Sequence, residues 1–267
     1  MDDNIGDLQE KFLDDTTKTG RFILSLGSKG SGKSYFLLLY LRYCIYNNLF
    51  ERYHLILPMF ESEQNDSYGF LKNQNHCFIY DGYSPKVVQL VEKERLKYKT
   101  LFIIDDASAE LVKNLNDQTF LKLITTTRHG KGCTVFACVH SSKRILAPAI
   151  RQQIDYLFLY KVSNKKLLYD IFEEYASMTY DKFNEFMRMY REAMETNYNA
   201  VLFTIHSQYI DNSINTWDLL QSYKDVQLKP TKAIKKPKTN NEESKRAGVK
   251  INNLNTMLSS FFKKKKY

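Results

Sequence analysis

Eight consecutive residues, Gly27 to Ser34, combine glycine, lysine and hydroxyl side chains in an order that suits the binding of phosphate groups. They spell G-S-K-G-S-G-K-S and match the pattern G-x-x-x-x-G-K-[ST]. Glycine adopts backbone angles closed to other residues, which lets backbone N–H groups approach phosphate oxygens closely. In this pattern the lysine reaches the β- and γ-phosphates, and the hydroxyl after it takes a site on Mg²⁺. The pattern therefore predicts a binding site for a nucleoside triphosphate and its Mg²⁺ ion.

The segments on either side of this loop are the strand and the helix that such a loop requires. The apolar segment 21–26 predicts a buried strand, and the leucine-rich segment 33–50 predicts a buried helix whose N-terminus faces the phosphates. An ordinary glycine- and serine-rich turn is the alternative, and this context disfavours it. We expect nine residues to contact ATP, with Lys33 also catalytic and Ser34 also a metal ligand: Gly27, Ser28, Lys29, Gly30, Ser31, Gly32, Lys33, Ser34 and Tyr35.

Two aspartates follow a second apolar segment. Residues 100–106 predict a buried strand that ends in Asp105 and Asp106. A carboxylate at this position is held beside the phosphate loop, so we expect Asp105 to bind Mg²⁺, directly or through water, and Asp106 to orient the attacking water. Aspartate is also favoured at helix N-caps, so a capping role is the alternative. Glu110 is the second candidate for the base.

Apolar segments alternate with helical ones along the first 160 residues, which predicts an α/β fold with a mainly parallel central sheet flanked by helices. Strands between Lys33 and Asp105 indicate a P-loop NTPase of the additional-strand class. A switch GTPase would need an N-K-x-D motif, and the segment 163–167, SNKKL, lacks the aspartate. The predicted strands are 21–26, 53–58, 77–81, 100–106, 133–141 and 156–161, with a further candidate at 200–205.

Composition divides the chain into three parts. Residues 1–19 are expected to form a mobile or lightly packed N-terminal arm. Residues 20–222 are expected to form the ATPase domain, with a small C-terminal helical addition from about residue 164. Residues 223–267 are expected to form a basic, largely flexible tail.

Charge is concentrated in that tail. The whole chain has a net charge of +9, whereas residues 223–267 carry 13 basic and 3 acidic residues, a net charge of +10, which leaves −1 for the rest. A basic tail on a neutral body favours contact with nucleic acid or another polyanion, and a merely solubilising tail is the alternative. No uncharged apolar run of about 20 residues is present, so we expect no membrane insertion. The four cysteines lack metal-site spacing and are expected to be buried, reduced thiols.

The segment 125–160 resembles the FtsK/HerA superfamily, in particular the genome-packaging ATPases of large DNA viruses and virophages. The resemblance rests on an Arg128-His129 pair, an apolar strand ending at His140, and a proline and an arginine, Arg151, before a final strand. It extends over about 20–205. It implies a homo-oligomeric ring of subunits that uses ATP to move double-stranded DNA into a capsid, with a capsid vertex or portal-like protein as partner, in the host cytoplasm at the viral factory.

The resemblance also implies roles for residues after the phosphate loop. Arg128 matches a residue that acts across a subunit boundary as an arginine finger. His140 occupies the position of a polar γ-phosphate sensor that is commonly Gln in the family, and Arg151 matches a family arginine of less certain purpose. The alternatives are a surface arginine at a helix end, a histidine that only bonds a loop, and a structural role for His129.

Three other functions share some of these features. A DNA helicase, or a DNA-pumping ATPase outside packaging, would have the same core. A small-molecule P-loop kinase acting on nucleosides would be indifferent to DNA. A nucleic-acid-binding protein with a structural nucleotide would bind ATP without turnover.

Overall fold

Eight strands of the described residues form one sheet at the centre of the fold. The computed structural model describes residues 3–57, 66–105, 117–140, 146–205, 209–216 and 219–230. Every residue of the strands nearest the centre is buried. The strands are β1 Phe22–Leu26, β2 Arg52–Ile56, β3 Cys77–Tyr80, β4 Thr100–Ile104, β5 Cys133–Val139, β6 Tyr156–Leu159, β7 Asn199–Thr204 and β8 Tyr209–Asn215.

The order of the strands is β3-β2-β4-β5-β1-β6-β7-β8. The first six strands in this order are parallel, and β7 and β8 are antiparallel to their neighbours. β5 lies between β1 and β4, which is the arrangement that defines the additional-strand class. The predicted α/β fold with a mainly parallel sheet is therefore confirmed.

Helices connect the strands and cover both faces of the sheet. Several of these helices begin at an N-cap residue. Ser84, Asp117 and Asn164 each accept a hydrogen bond from a backbone N–H in the first turn of the helix that follows. The α-helices are α1 Asp3–Lys18, α2 Lys33–Tyr46, α3 Pro85–Glu94, α4 Gln118–Thr125, α5 Pro148–Arg151, α6 Lys165–Ile171 and α7 Phe183–Ala193. The described residues also form two 3-10 helices, Asp66–Asn73 and Gln221–Tyr223, and a π-helical turn, Phe172–Ala176.

The alternation of side chains along β1 explains the two hydrophobic cores. Phe22, Leu24 and Leu26 point to one face, where they pack with α3 to α7, and Ile23 points to the other, where it packs with α1 and α2. Because both faces are covered, the strands are continuous apolar runs without a polar side. The apolar side of α7 belongs to the first of these cores.

α1 corrects the expectation of a mobile or lightly packed arm over residues 1–19. Phe12 is only 2% exposed, and its ring meets Tyr156 and Phe158 edge-on at centroid distances of 5.2 and 5.1 Å. The Thr16 carbonyl accepts a hydrogen bond from Thr134 Oγ1 at 2.6 Å. Aromatic packing against the sheet therefore holds the described C-terminal half of α1 to the domain.

Phe12→Ala is expected to lower the free energy of unfolding by about 3 kcal/mol, because it removes a buried aromatic ring and leaves a cavity. Urea denaturation of the full-length chain measures this change. The exposed neighbour Lys11 provides the control, since Lys11→Ala is expected to change stability by less than about 0.5 kcal/mol. Equal stability of the two variants would mean that α1 is detached in solution.

The C-terminal addition is not purely helical, which corrects the expected composition of this part. After α6 and α7 the chain forms β7, as the 200–205 candidate suggested, and then β8, which was not predicted. β7 pairs with β6 and β8 pairs with β7, so the addition extends the central sheet by two antiparallel strands.

Residues 219–230, which we call the strap, run back over α2. Tyr223 packs edge-on against Tyr43 at 5.0 Å between centroids, and Arg42 Nη1 donates to the Val226 carbonyl at 3.3 Å. Gln74 Nε2 donates to the Lys229 carbonyl at 3.2 Å. The expected tail boundary at 223 is therefore too early, because the chain contacts the body as far as residue 229. Residues 231–267 lie outside the described part.

All four cysteines are buried and free, as predicted from their spacing and apolar neighbours. Among the described segments, none of the helices is both long and apolar enough to span a bilayer.

Candidate nucleotide-binding site

The carboxyl ends of β1, β4 and β5 bring the predicted site residues together. Gly27 follows β1, Asp105 follows β4 and His140 follows β5 directly. Because these three strands are parallel and adjacent in the sheet, their ends meet at one edge. The loop from Gly27 to Gly32 then leads into α2.

The phosphate loop needs glycine at two positions for different reasons. Gly32, the N-cap of α2, has φ 103°, in the left-handed region that side chains disfavour. At Gly27 a Cβ atom would lie 2.6 Å from Tyr160 Cβ and 2.8 Å from Ser31 Oγ, so no side chain can be accommodated. The sequence pattern is thus required by the local geometry.

Lys33 lies in the first turn of α2 and is almost fully buried. Its Nζ donates to the carbonyl of Ser28 at 2.8 Å, which curls the side chain back into the loop. The lysine charge and the positive end of the α2 dipole therefore act on the same volume, and both favour an anion there.

Asp105 is buried beside Ser34, and both of its carboxylate oxygens accept hydrogen bonds. Ser34 Oγ donates to Oδ1 at 2.9 Å, and the Tyr68 hydroxyl donates to Oδ2 at 2.8 Å. Burial, followed by the charge of Asp105, raises the pKa of Tyr68, so the phenol keeps its proton and remains a donor. The two predicted metal ligands are thus within hydrogen-bonding distance of each other.

A cavity of about 620 Å³ opens over the loop. Burial raises the pKa of the Cys138 thiol in its wall, and Asp105 adds to this effect, so Cys138 stays a neutral thiol. The lining residues comprise most of the predicted phosphate loop together with residues from β4, β5 and the turn before β7: Lys29, Gly30, Ser31, Gly32, Lys33, Ser34, Tyr35, Asp105, Cys138, His140 and Tyr198.

The residues present suit ATP and Mg²⁺. Ser31 Oγ is buried in the loop and has no hydrogen-bond partner among the described residues, which leaves a hydroxyl available to a phosphate oxygen. Ser34 and Asp105 offer two hard oxygen ligands, and Mg²⁺ binds few protein ligands and takes the rest from phosphates and water. Lys33, Ser31 and the loop N–H groups would hold the phosphates.

Arg128 lies away from this cavity in its own chain. It precedes β5, and it donates through Nη2 to Asp155 Oδ1 at 3.1 Å, just before β6. This is the amino edge of the parallel strands, roughly 20 Å from the carboxyl edge for strands of this length. The Arg128 side chain is 55% exposed, so it is accessible to another molecule. Its action on the site of a neighbouring subunit stays a prediction.

Of the other predicted site residues, one lines the cavity, one makes structural contacts, and two lie outside the described residues. His140 lines the cavity, and its Nδ1 lies 3.2 Å from the Gly27 carbonyl. This contact agrees with a histidine that bonds the phosphate loop. Its role as a sensor of the γ-phosphate stays a prediction. Arg151 binds the Glu174 carboxylate at 2.9 Å and the Leu146 carbonyl, so its contacts are structural. Asp106 and Glu110 lie outside the described residues.

Cys138, Tyr68 and Tyr198 were not predicted as site residues from the sequence, and the two tyrosines lie far from the predicted motifs in the chain. Tyr68 contacts Asp105 from a 3-10 helix that lies 37 residues earlier in the chain, and Tyr198 enters the cavity wall from the turn between α7 and β7. Neither belongs to a local motif. The one usable signal was their abundance, since tyrosine occurs 19 times in this chain.

Comparison with known proteins reveals a likeness in fold. No family model and no curated protein sequence matches the chain. The genome-packaging NTPase B204 from Sulfolobus turreted icosahedral virus 2, in complex with AMP, matches with a TM-score of 0.55 and 18% identity, covering 72% of this chain and 96% of that one. Its complex with ATP-gammaS matches with a TM-score of 0.53 and 18% identity, covering 72% and 95%. B204, the DNA-packaging ATPase from Sulfolobus turreted icosahedral virus, matches with a TM-score of 0.57 and 15% identity, covering 73% and 97%. The predicted resemblance to viral genome-packaging ATPases is confirmed at the level of the fold.

Proposed function

We propose that this chain is a Mg²⁺-dependent ATP hydrolase that moves double-stranded DNA, and that its task is to package a viral genome into a preformed capsid. The observation that carries the proposal is the meeting of Lys33, Ser34 and Asp105 at the N-terminus of α2, beside a cavity large enough for a nucleotide. The solved proteins with a similar fold include a packaging NTPase in complex with ATP-gammaS, which supports ATP as the ligand.

Each group has a distinct part in hydrolysis. Lys33 and the loop N–H groups bind the phosphates and neutralise charge that develops on them in the transition state. Ser34 and Asp105 would hold the metal, and a bound Mg²⁺ would offset the negative charge of the phosphates. Tyr68 keeps the Asp105 carboxylate in place by its hydrogen bond. We assign the orientation of water to Asp106, and the sensing of the γ-phosphate to His140.

DNA is the proposed cargo for two reasons. The chain resembles solved proteins described as genome- or DNA-packaging enzymes, and its sequence after residue 230 carries 11 basic and two acidic residues. Lysines hold the phosphate backbone without selecting a sequence, which a packaging motor requires. We further propose a homo-oligomeric ring that docks on a capsid vertex or portal-like protein in the host cytoplasm.

ATP turnover by the full-length protein, with and without long double-stranded DNA, tests the proposal. Strong stimulation of ATP turnover by duplex DNA is the expected result. Little or no strand separation is expected on a forked duplex, which a helicase would unwind. Turnover that ignores DNA but transfers phosphate to nucleosides would overturn the proposal in favour of a kinase. Binding of ATP without turnover, even with DNA present, would favour a structural nucleotide.

Deletion of residues 231–267 is expected to weaken duplex binding at low salt by about tenfold or more, and to reduce its salt dependence, because it removes a net charge of +9, which is the whole excess positive charge of the chain. Basal ATPase activity should remain, since this deletion keeps the strap on α2. A filter-binding titration at several salt concentrations measures the change. Replacing Lys263 to Lys266 by glutamine keeps the length and should weaken binding in part. Unchanged binding by both variants would identify the tail as a solubilising segment.

A further inference from the structure

Tyr198 has an unusual backbone conformation next to the phosphate loop. Its φ is 64°, in the left-handed region that a bulky residue seldom adopts. Thr216, itself buried, donates through Oγ1 to the Tyr198 carbonyl at 2.7 Å and so holds this turn. Conformations of this kind persist where the surrounding structure enforces them, and they cluster at ligand sites.

The turn places the Tyr198 ring at the edge of the cavity. A Cβ atom built on Gly32 would lie 3.1 Å from Tyr198 Cδ1, so the ring is adjacent to the last glycine of the loop. The side chain lines the cavity and is 42% exposed, whereas most large apolar side chains of the described segments are buried. Tyr35 also contributes to the wall, but its hydroxyl donates to Gln221 Oε1 at 3.0 Å in the strap.

The cavity therefore has two chemically different regions. Lysine, serine and loop N–H groups suit the triphosphate, and an aromatic ring suits a flat, apolar π-system. We infer that Tyr198 stacks on the nucleobase of the bound nucleotide and is a binding residue of the site. This inference rests on the proposed nucleotide site and names the part of the nucleotide that Tyr198 recognises. Stacking is tolerant of base identity because every base has a π-face, so Tyr198 contributes affinity without selecting adenine over guanine.

Inorganic tripolyphosphate distinguishes binding of the base from binding of the phosphates, because it has the same phosphate chain as ATP and no base. Calorimetric titration of the full-length protein with Mg-ATP and with Mg-tripolyphosphate is the test. Tyr198→Ala is expected to weaken ATP binding by about tenfold and to leave tripolyphosphate binding unchanged. GTP should lose as much affinity as ATP.

Two further variants control for a change in the turn itself. Tyr198→Phe keeps the ring and should bind ATP as the wild type does, whereas Tyr198→Leu keeps an apolar side chain without a ring and should lose ATP affinity like the alanine variant. An equal loss for ATP and tripolyphosphate in the alanine variant would overturn the inference, since Tyr198 would then only support the loop. No loss for either ligand would overturn it too. A wild-type protein that binds neither ligand would overturn the nucleotide site itself, and that result is distinct from the other two.

Discussion

Lys33→Ala is expected to reduce ATP turnover by about 100- to 1000-fold, in the presence or absence of DNA. Lys33 is the buried cation of the loop, and its Nζ is held by the Ser28 carbonyl within the volume that the phosphates would occupy. Its removal takes away a charge that stabilises the transition state more than the ground state, so the loss should appear mainly in kcat. Steady-state kinetics of phosphate release measure it.

The matched control for this variant is Lys86→Ala. Lys86 is exposed on α3, and the same change of residue type and charge there should leave turnover within about twofold. Thermal unfolding of both variants verifies that they are folded. Full activity of a folded Lys33→Ala protein would place hydrolysis at another site and contradict the proposed roles of the loop.

Arg128→Ala is expected to reduce turnover by about 1000-fold or more if Arg128 completes the site of a neighbouring subunit, since this is the range known for arginine fingers. The change should cost little stability, because the side chain is half exposed and Asp155 keeps two other partners. These are the Phe22 N–H, at 2.8 Å from Oδ2, and Arg21, at 3.6 Å from Oδ1. Arg188→Ala, an exposed arginine on α7, is the control for a general effect of removed charge.

Mixing the two inactive variants distinguishes action in trans from every other explanation. Lys33→Ala subunits retain Arg128, and Arg128→Ala subunits retain the phosphate loop. In a mixed ring of equal amounts, about a quarter of the junctions combine one intact loop with one intact arginine, so turnover should recover to a similar fraction. A mixture as inactive as its components, or an active Arg128→Ala protein, would return Arg128 to the role of a surface arginine.

The phosphate loop was predictable because its chemistry resides in eight consecutive residues. Gly27 and Gly32 are fixed by close approach and by backbone angle, and both constraints are local. Asp105 was also predictable, since the apolar segment before it marks a buried strand whose end must lie beside the loop. Most strand positions followed from the same apolar runs.

The missed features depend on contacts between distant parts of the chain. Tyr68 acquires its role only because the 3-10 helix lies over Asp105, and Tyr198 only because β7 pairs with β6. Phe12 belongs to a segment with many charged residues, and its burial depends on the aromatic rings of β6, far away in the sequence. β8 is rich in polar residues, and its pairing with β7 was not evident from its composition.

The strap connects the lysine-rich sequence after residue 230 to the helix that begins at the phosphate loop. It touches α2 at Tyr35 in the first turn, at Arg42 further along, and at Tyr43 and Tyr46 near the end. These contacts are spread over a helix about 21 Å long. Along the strap these contacts follow one another, with Val226 nearest the C-terminal sequence, Tyr223 next and Gln221 last. Tension on that sequence would therefore reach α2 first at Arg42 and would reach the turn that begins at the phosphate loop last.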